Sequence, residues 1–222
     1  MATINQAAAV QLHDVHQQFG RKRVLRGVDL TVARGTSADL TGANGSGKTT
    51  LLRVVATLLR PSSGTGSVCG YPLGEGDRIR EHIGFVSARG TLYDDLTAVE
   101  NLQFAARLSG AAAPVPRIDE LLDSAGLLKA RDQRIRTFST GMRRRLSLSA
   151  LRLRPLDLVL MDEPYSGLDT EGMTMVDHMI GEFLTAGTAV IVATHVAGDA
   201  TRRASAKYCI EGGRLVHVED AN

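Results

Sequence analysis

Residues 42–50 read GANGSGKTT, and the spacing G-x-x-x-x-G-K-T within them decides the fold. Such a loop needs a strand before it and a helix after it. TSADLTG (36–42) supplies the β-like run. TTLLRVVATLL supplies apolar residues at Leu51, Leu52, Val54, Val55, Leu58 and Leu59, a helical period closed by Pro61. Glycines at 42, 45 and 47 let backbone N–H groups curl around phosphate oxygens without Cβ clashes, and the helix presents its positive N-terminus. Asn44, Ser46 and Thr50 complete the candidate phosphate cradle. Lys48 adds a mobile charge for the β- and γ-phosphates, and the Thr49 hydroxyl is suited to Mg²⁺.

Outward from the loop, the 222 residues are long enough for one domain with a real core. Hydrophobic residues make up 43% and charged residues 23%, as in ordinary globular proteins. A formal charge of +2 gives no argument for nucleic acid, and none is expected as a partner. Cys69 and Cys209 carry no pairing or zinc pattern, which fits a reducing compartment. MATINQAAAV lacks the basic start of a signal peptide, and no run of about 18 apolar residues offers a membrane span. A membrane role would need spans from another chain.

Further β-like runs are 9–15, 27–32, SVCGYPL and HIGFVS. From about 97 to 153 the pattern turns helical: AVENLQFAARL, IDELLDSAGLL and GMRRRLSLSALRL, interrupted by AAAPVP at 111–116. Strands return at 156–161, 187–194 and 207–218, alternating with helices. The expected fold is α/β, with a mostly parallel core sheet, an antiparallel β-subdomain and an inserted helical subdomain. It is expected as one domain over 1–222, with its core at about 1–90 and 155–222 and the helical part at about 91–154. No internal repeat is present.

Two more pieces carry chemistry. LDLVLMDEP (156–164) reads as a buried strand whose tip brings Asp162 and Glu163 beside the phosphate loop. Asp162 suits Mg²⁺ held through water, and Glu163 suits polarisation of an attacking water. AVIVATH (189–195) reads as another buried strand, and its terminal His195 is placed to contact the γ-phosphate and that water. FSTGMRRRL (138–146) opens a helix at Ser139 and Gly141, a further anion site. It lies too far along the helical block to face its own loop easily, which suits presentation by a second copy. Arginines 143–145, 152 and 154 read either as a solvated helix face or as a contact for an acidic loop or lipid headgroups.

The phosphate loop, STGM helix start, MDEP, SGLD (166–169) and strand-end histidine, in that order, resemble the ATPase subunit of an ABC transporter, a P-loop NTPase. The resemblance covers roughly residues 9–218. It implies two ATPase subunits sandwiching two MgATP head to tail and driving a transmembrane permease from the cytoplasmic membrane face. Ser139, Thr140, Gly141 and Met142 would then touch ATP in trans, and Asp169 would sit in the segment coupling the two sites. Phe19 matches the aromatic that stacks on adenine, although taken by itself a phenylalanine there is also a plausible core residue.

Two departures stand out. The family's usual LSGGQ is FSTGM here, and the usual magnesium- and water-contacting glutamine falls on Ala88, which has no side-chain oxygen. Either Ser87, Arg89 or a water substitutes, or turnover is slow. That leaves open an ATP-dependent assembly switch, and a soluble repair or translation ATPase is a third reading. Segments 92–108 and 138–153 are similar to the haem-exporter ATPase of cytochrome c maturation, and the short chain agrees with an exporter; drug- and lipid-efflux ATPases share much of this wording.

Overall fold

The computed structural model describes residues 8–87, 92–195 and 198–218. The chain opens with a long antiparallel hairpin, β1 (Ala8–Phe19) and β2 (Lys22–Ala33). After β3 (Ser37–Thr41) and α1 (Lys48–Val55) come β4 (Ser63–Val68) and β5 (Tyr71–Pro72). These last two join the hairpin in a four-stranded antiparallel sheet of order β2-β1-β4-β5. SVCGYPL, expected as one strand, turns back on itself at Cys69 and Gly70, both at positive φ. Two consecutive residues with positive φ fit the backbone twist of a tight hairpin.

The second sheet holds the chemistry. After α2 (Gly76–Arg80) it gains β6 (Ile83–Val86), then β7 (Leu158–Asp162), β8 (Ala189–Ala193), β9 (Ala206–Glu211) and β10 (Arg214–His217). Its order is β10-β9-β3-β8-β7-β6, parallel throughout except for the β9/β10 hairpin. Every residue of β7 (LVLMD) and β8 (AVIVA) is buried. That is why these strands read as continuous apolar runs: a parallel sheet is covered on both faces. One face packs through Leu40, Leu160 and Ile191 onto α1. The other packs through Val159, Met161, Val190 and Val192 onto α6 (Thr170–Thr185). Parallel strands end together, so Thr41, Asp162 and Ala193 emerge at one edge. Ligands in open α/β sheets bind at this carboxyl edge.

Between β6 and β7 lie α3 (Ala98–Leu108), α4 (Val115–Ser124) and α5 (Thr140–Ser149), which bury Leu102, Ile118, Leu121, Leu122 and Leu146 in a cluster of their own. Thr97 and Glu100 close a reciprocal capping box on α3. The apolar period after the phosphate loop promises a helix to Leu59, but α1 stops at Val55. Thr57 adopts φ 56°, the left-handed geometry that closes a helix, and Leu58 is left exposed. A short helix, α7 (Asp199–Arg202), precedes β9. Among the described residues, no helix is long and apolar enough to cross a membrane.

Candidate functional site

The loop between β3 and α1 is built for close approach of the backbone to a ligand. Gly42 has φ 136°, and a Cβ there would sit 2.7 Å from the Ile210 carbonyl oxygen. Gly47, the N-cap of α1, has φ 123° and would place a Cβ 3.1 Å from Leu25. Any other residue is strained or clashes at both positions. Lys48 is only 6% exposed, and its Nζ donates to the loop's own carbonyls at Gly42 (2.6 Å) and Ala43 (3.3 Å). The ammonium is thus held over the cradle that it would share with a phosphate. Ser46 Oγ is buried with no hydrogen-bond partner among the described residues. An orphaned donor inside a glycine loop fits an acceptor-rich ligand such as phosphate.

β7 brings the carboxylates. The Thr49 hydroxyl donates to Asp162 Oδ2 at 2.8 Å, joining the first turn of α1 to the strand tip. Asp162 is 2% exposed; burial raises its pKa, the neighbouring Glu163 charge adds to that, and the Thr49 hydrogen bond opposes it. A hydroxyl beside a carboxylate is a hard-oxygen pair suited to Mg²⁺, which keeps several ligands from water and substrate phosphates. The protein offers no more than such a pair: among the described residues, no group of three or more His, Cys, Asp or Glu could hold a metal alone.

Glu163 departs from the strand with φ 52°, a conformation that is strained for a non-glycine residue. It turns the side chain toward the end of β8. There Thr194 Oγ1 donates to Glu163 Oε2 (3.2 Å), the His195 amide donates at 3.3 Å, and His195 Nδ1 stands 2.8 Å away. The histidine is largely exposed and the glutamate largely covered. A cleft of about 350 Å³ collects Lys22, Val24, Asn44, Gly45, Gly47, Lys48, Thr49, Thr50, Asp162 and Glu163.

Phe19 ends β1 opposite Lys22, at the mouth of this region, and is 51% exposed. The core alternative for it is therefore wrong: at the hairpin tip about half of the residue stays open to solvent. Ser139, Thr140, Gly141 and Met142 do not line the cleft. Ser139 caps α5, its Oγ accepting the Met142 amide at 3.2 Å, and Gly141 packs close to the Gly167 carbonyl. Asp169 caps α6 through the Gly172 amide at 2.8 Å. Ala88 and Arg89 lie outside the described residues.

The arginine run requires a correction: Arg144 is buried, and the half-exposed Arg143, Arg145, Arg152 and Arg154 already have partners within the chain. Arg144 is 6% exposed and donates to the carbonyls of Ser87 (2.7 Å), Pro164 (3.3 Å), Asp162 and Glu163. Arg154 donates to the carbonyls of Arg80 and Ile83, both at 3.0 Å, and to that of Glu81. Arg152 pairs with Glu182, Arg143 with Asp94, and Arg145 reaches the Ala125 carbonyl. Arg144, Arg152 and Arg154 tie the helical segment to the core, whereas Arg143 and Arg145 make contacts within that segment. Sequence reasoning missed the role of Arg144. The available signal was its spacing with Leu148 and Leu151, which puts a charge on the buried face of α5.

Comparison with known proteins follows the same lines. Residues 25–166 match the profile of a family described as ABC transporter. The chain is 35% identical to the daunorubicin resistance ATP-binding protein DrrA3 of Streptomyces coeruleorubidus and to its counterpart DrrA from Streptomyces peucetius. It is 33% identical to the Nod factor export ATP-binding protein I of Cupriavidus pinatubonensis. Each match covers 94% of this chain and 64–67% of the relative, so the chain spans about two thirds of their length. A solved ATP-binding subunit of an ABC transporter superposes with a TM-score of 0.86 at 26% identity, covering 96% of this chain and 91% of that one. The ATP-binding cassette MJ0796, solved as a dimer in a post-hydrolysis state with ADP and Pi, shares the fold with a TM-score of 0.83 at 24% identity, covering 96% of this chain and 99% of that one. The relatives named here point to drug resistance and Nod factor export; the haem-export expectation finds no support among them.

Proposed function

The chain belongs to the ABC transporter family, in its ATP-binding branch, and from that premise we propose that it hydrolyses MgATP to power an export permease. One observation carries the reading. The phosphate loop, the Thr49–Asp162 pair and Glu163 line one cleft at one sheet edge, and His195 pairs with that glutamate.

The residues divide the work by their surroundings. The loop amides, the N-terminus of α1 and Lys48 bind and orient the β- and γ-phosphates. Thr49 and Asp162 hold Mg²⁺, which supplies charge neutralisation at the phosphate oxygens. Glu163 accepts a hydrogen bond from the attacking water and draws off its proton, in the in-line position that phosphoryl transfer requires. Thr194 and His195 fix the carboxylate's direction, and His195 reaches the γ-phosphate from the open side. Phe19 offers its exposed ring to the adenine.

Ser139, Thr140, Gly141 and Met142 stand off the cleft, so they serve the nucleotide of a second subunit, with Asp169 beside them at the dimer seam. Exposed Leu58, Tyr93 and Leu108 border a groove of about 460 Å³ between β6 and α3, a seat for a segment of the permease. The site of action is the cytoplasmic face of the membrane. Kinship with a daunorubicin-resistance and a Nod-factor-export protein favours export of a drug or a Nod-factor-like molecule.

Steady-state phosphate release from MgATP tests this. The wild-type chain turns over, and Glu163→Gln loses the activity by two orders of magnitude or more while still binding ATP. A wild type that binds ATP, dimerises and releases no phosphate favours instead the assembly switch that Ala88 suggests.

A further inference from the structure

We propose that Arg144 is a positioning residue, a guanidinium clamp that holds the Asp162–Pro164 backbone and the end of β6 in the geometry hydrolysis needs. The proposal rests on the ATPase reading. One buried side chain spends its donors on four carbonyls from two places in the chain: Ser87 at the end of β6, and Asp162, Glu163 and Pro164 at the end of β7. β6 and β7 are neighbouring parallel strands, so the clamp spans the sheet edge where the site forms.

The chemistry of the anchor explains the residue type. Three successive carbonyls where the strand turns each accept from the guanidinium, and that of Glu163 also accepts the Ser166 amide at 3.2 Å. Arginine alone presents five N–H groups on a rigid plane; lysine has one compact ammonium that cannot reach both strands. Glu163 sits at φ 52°, a conformation that lasts only when its surroundings over-determine it. Its amide is held by the Ala193 carbonyl at 2.7 Å and its carbonyl by Arg144. The peptide on either side of the base is therefore pinned by groups that never touch substrate, and Thr194 and His195 direct the carboxylate from that fixed backbone. Arg144 also belongs to α5, the helix that begins at Ser139, so the segment offered to a partner's nucleotide and the chain's own carboxylates share one rigid link. Supporting contacts of this kind hold reacting groups within tenths of an ångström of productive geometry.

The test uses the full chain. In Arg144→Lys, kcat for phosphate release is expected to fall at least tenfold, while the Kd for MgATP stays within about threefold and the protein remains folded by thermal melt. Arg144→Ala opens a guanidinium-sized space, and millimolar guanidinium is expected to restore part of its kcat where equal sodium does not. A kcat within twofold of wild type in Arg144→Lys overturns the proposal. So does a parallel loss of kcat and affinity, or a folded Arg144→Ala that guanidinium does not rescue. A wild type without phosphate release sinks the ATPase reading and leaves the clamp to a second readout: amide hydrogen exchange over residues 162–168, expected to quicken at least tenfold in Arg144→Lys. Unchanged exchange there overturns the clamp.

Discussion

Asp162 and Glu163 are adjacent carboxylates that the fold sends to different tasks. Asp162 is sunk under the Thr49 hydroxyl on the strand, whereas Glu163 is swung out by a positive φ toward Thr194 and His195. That separation makes Glu163→Gln selective: phosphate release drops about 100-fold or more while a fluorescent-nucleotide titration shows affinity within about threefold of wild type. Equal losses of both would assign Glu163 to binding. A second buried carboxylate costs stability. Asp39 on β3 is pushed by burial up to about 6 from 3.8, partly offset by the charge of Lys207. Between about pH 4 and 6 the folded state therefore holds a proton that the unfolded chain releases, so the penalty is full above about pH 6, fades as pH falls through that window and is gone below about 4. Asp39→Asn is expected to raise stability by about 1–3 kcal/mol at pH 8 and by little at pH 4, read from urea melts at both. Equal gains at the two pH values would refute a titrating cause.

Among the elements, the strands that carry the site were the most legible. β7 and β8 are apolar runs ended by a polar residue because both their faces are covered, and only the carboxyl end meets the cleft. The phosphate loop was legible for a similar reason: its glycines answer to backbone geometry rather than to distant contacts. Elsewhere tertiary context won. α1 ends earlier than its apolar period suggests because Thr57 takes a left-handed turn, and SVCGYPL folds back through Cys69, a residue without turn character. Arg144 looked like one of a row of surface charges, since nothing local announces four carbonyls arriving from β6 and β7. Helix caps can be checked directly. Asp169 accepts the Gly172 amide at the start of α6, so Asp169→Ala is expected to cost about 1 kcal/mol and lower the melting midpoint by roughly 2–4 °C. An unchanged midpoint would mean that the cap adds nothing in this chain.

For the whole molecule, the cleft is, under the proposed function, half of a site that a second copy completes. It holds phosphate-loop and carboxylate residues but none of Ser139, Thr140, Gly141 or Met142, although these open a helix N-terminus suited to an anion. Motif order in the sequence indicated this family, and geometry adds that Ser139–Met142 stand apart from the phosphate-loop cleft of their own chain. Cargo was not legible in the sequence: similarity of wording in 92–108 and 138–153 led toward haem, whereas overall kinship runs to daunorubicin-resistance and Nod-factor-export proteins. The direct check is the mass of Glu163→Gln in solution, by light scattering with and without MgATP. Closure of two chains around nucleotide gives about twice 23.7 kDa with MgATP and the single-chain mass without it. A protein that binds MgATP yet stays at the single-chain mass across micromolar concentrations would show that the chain does not close on itself around ATP.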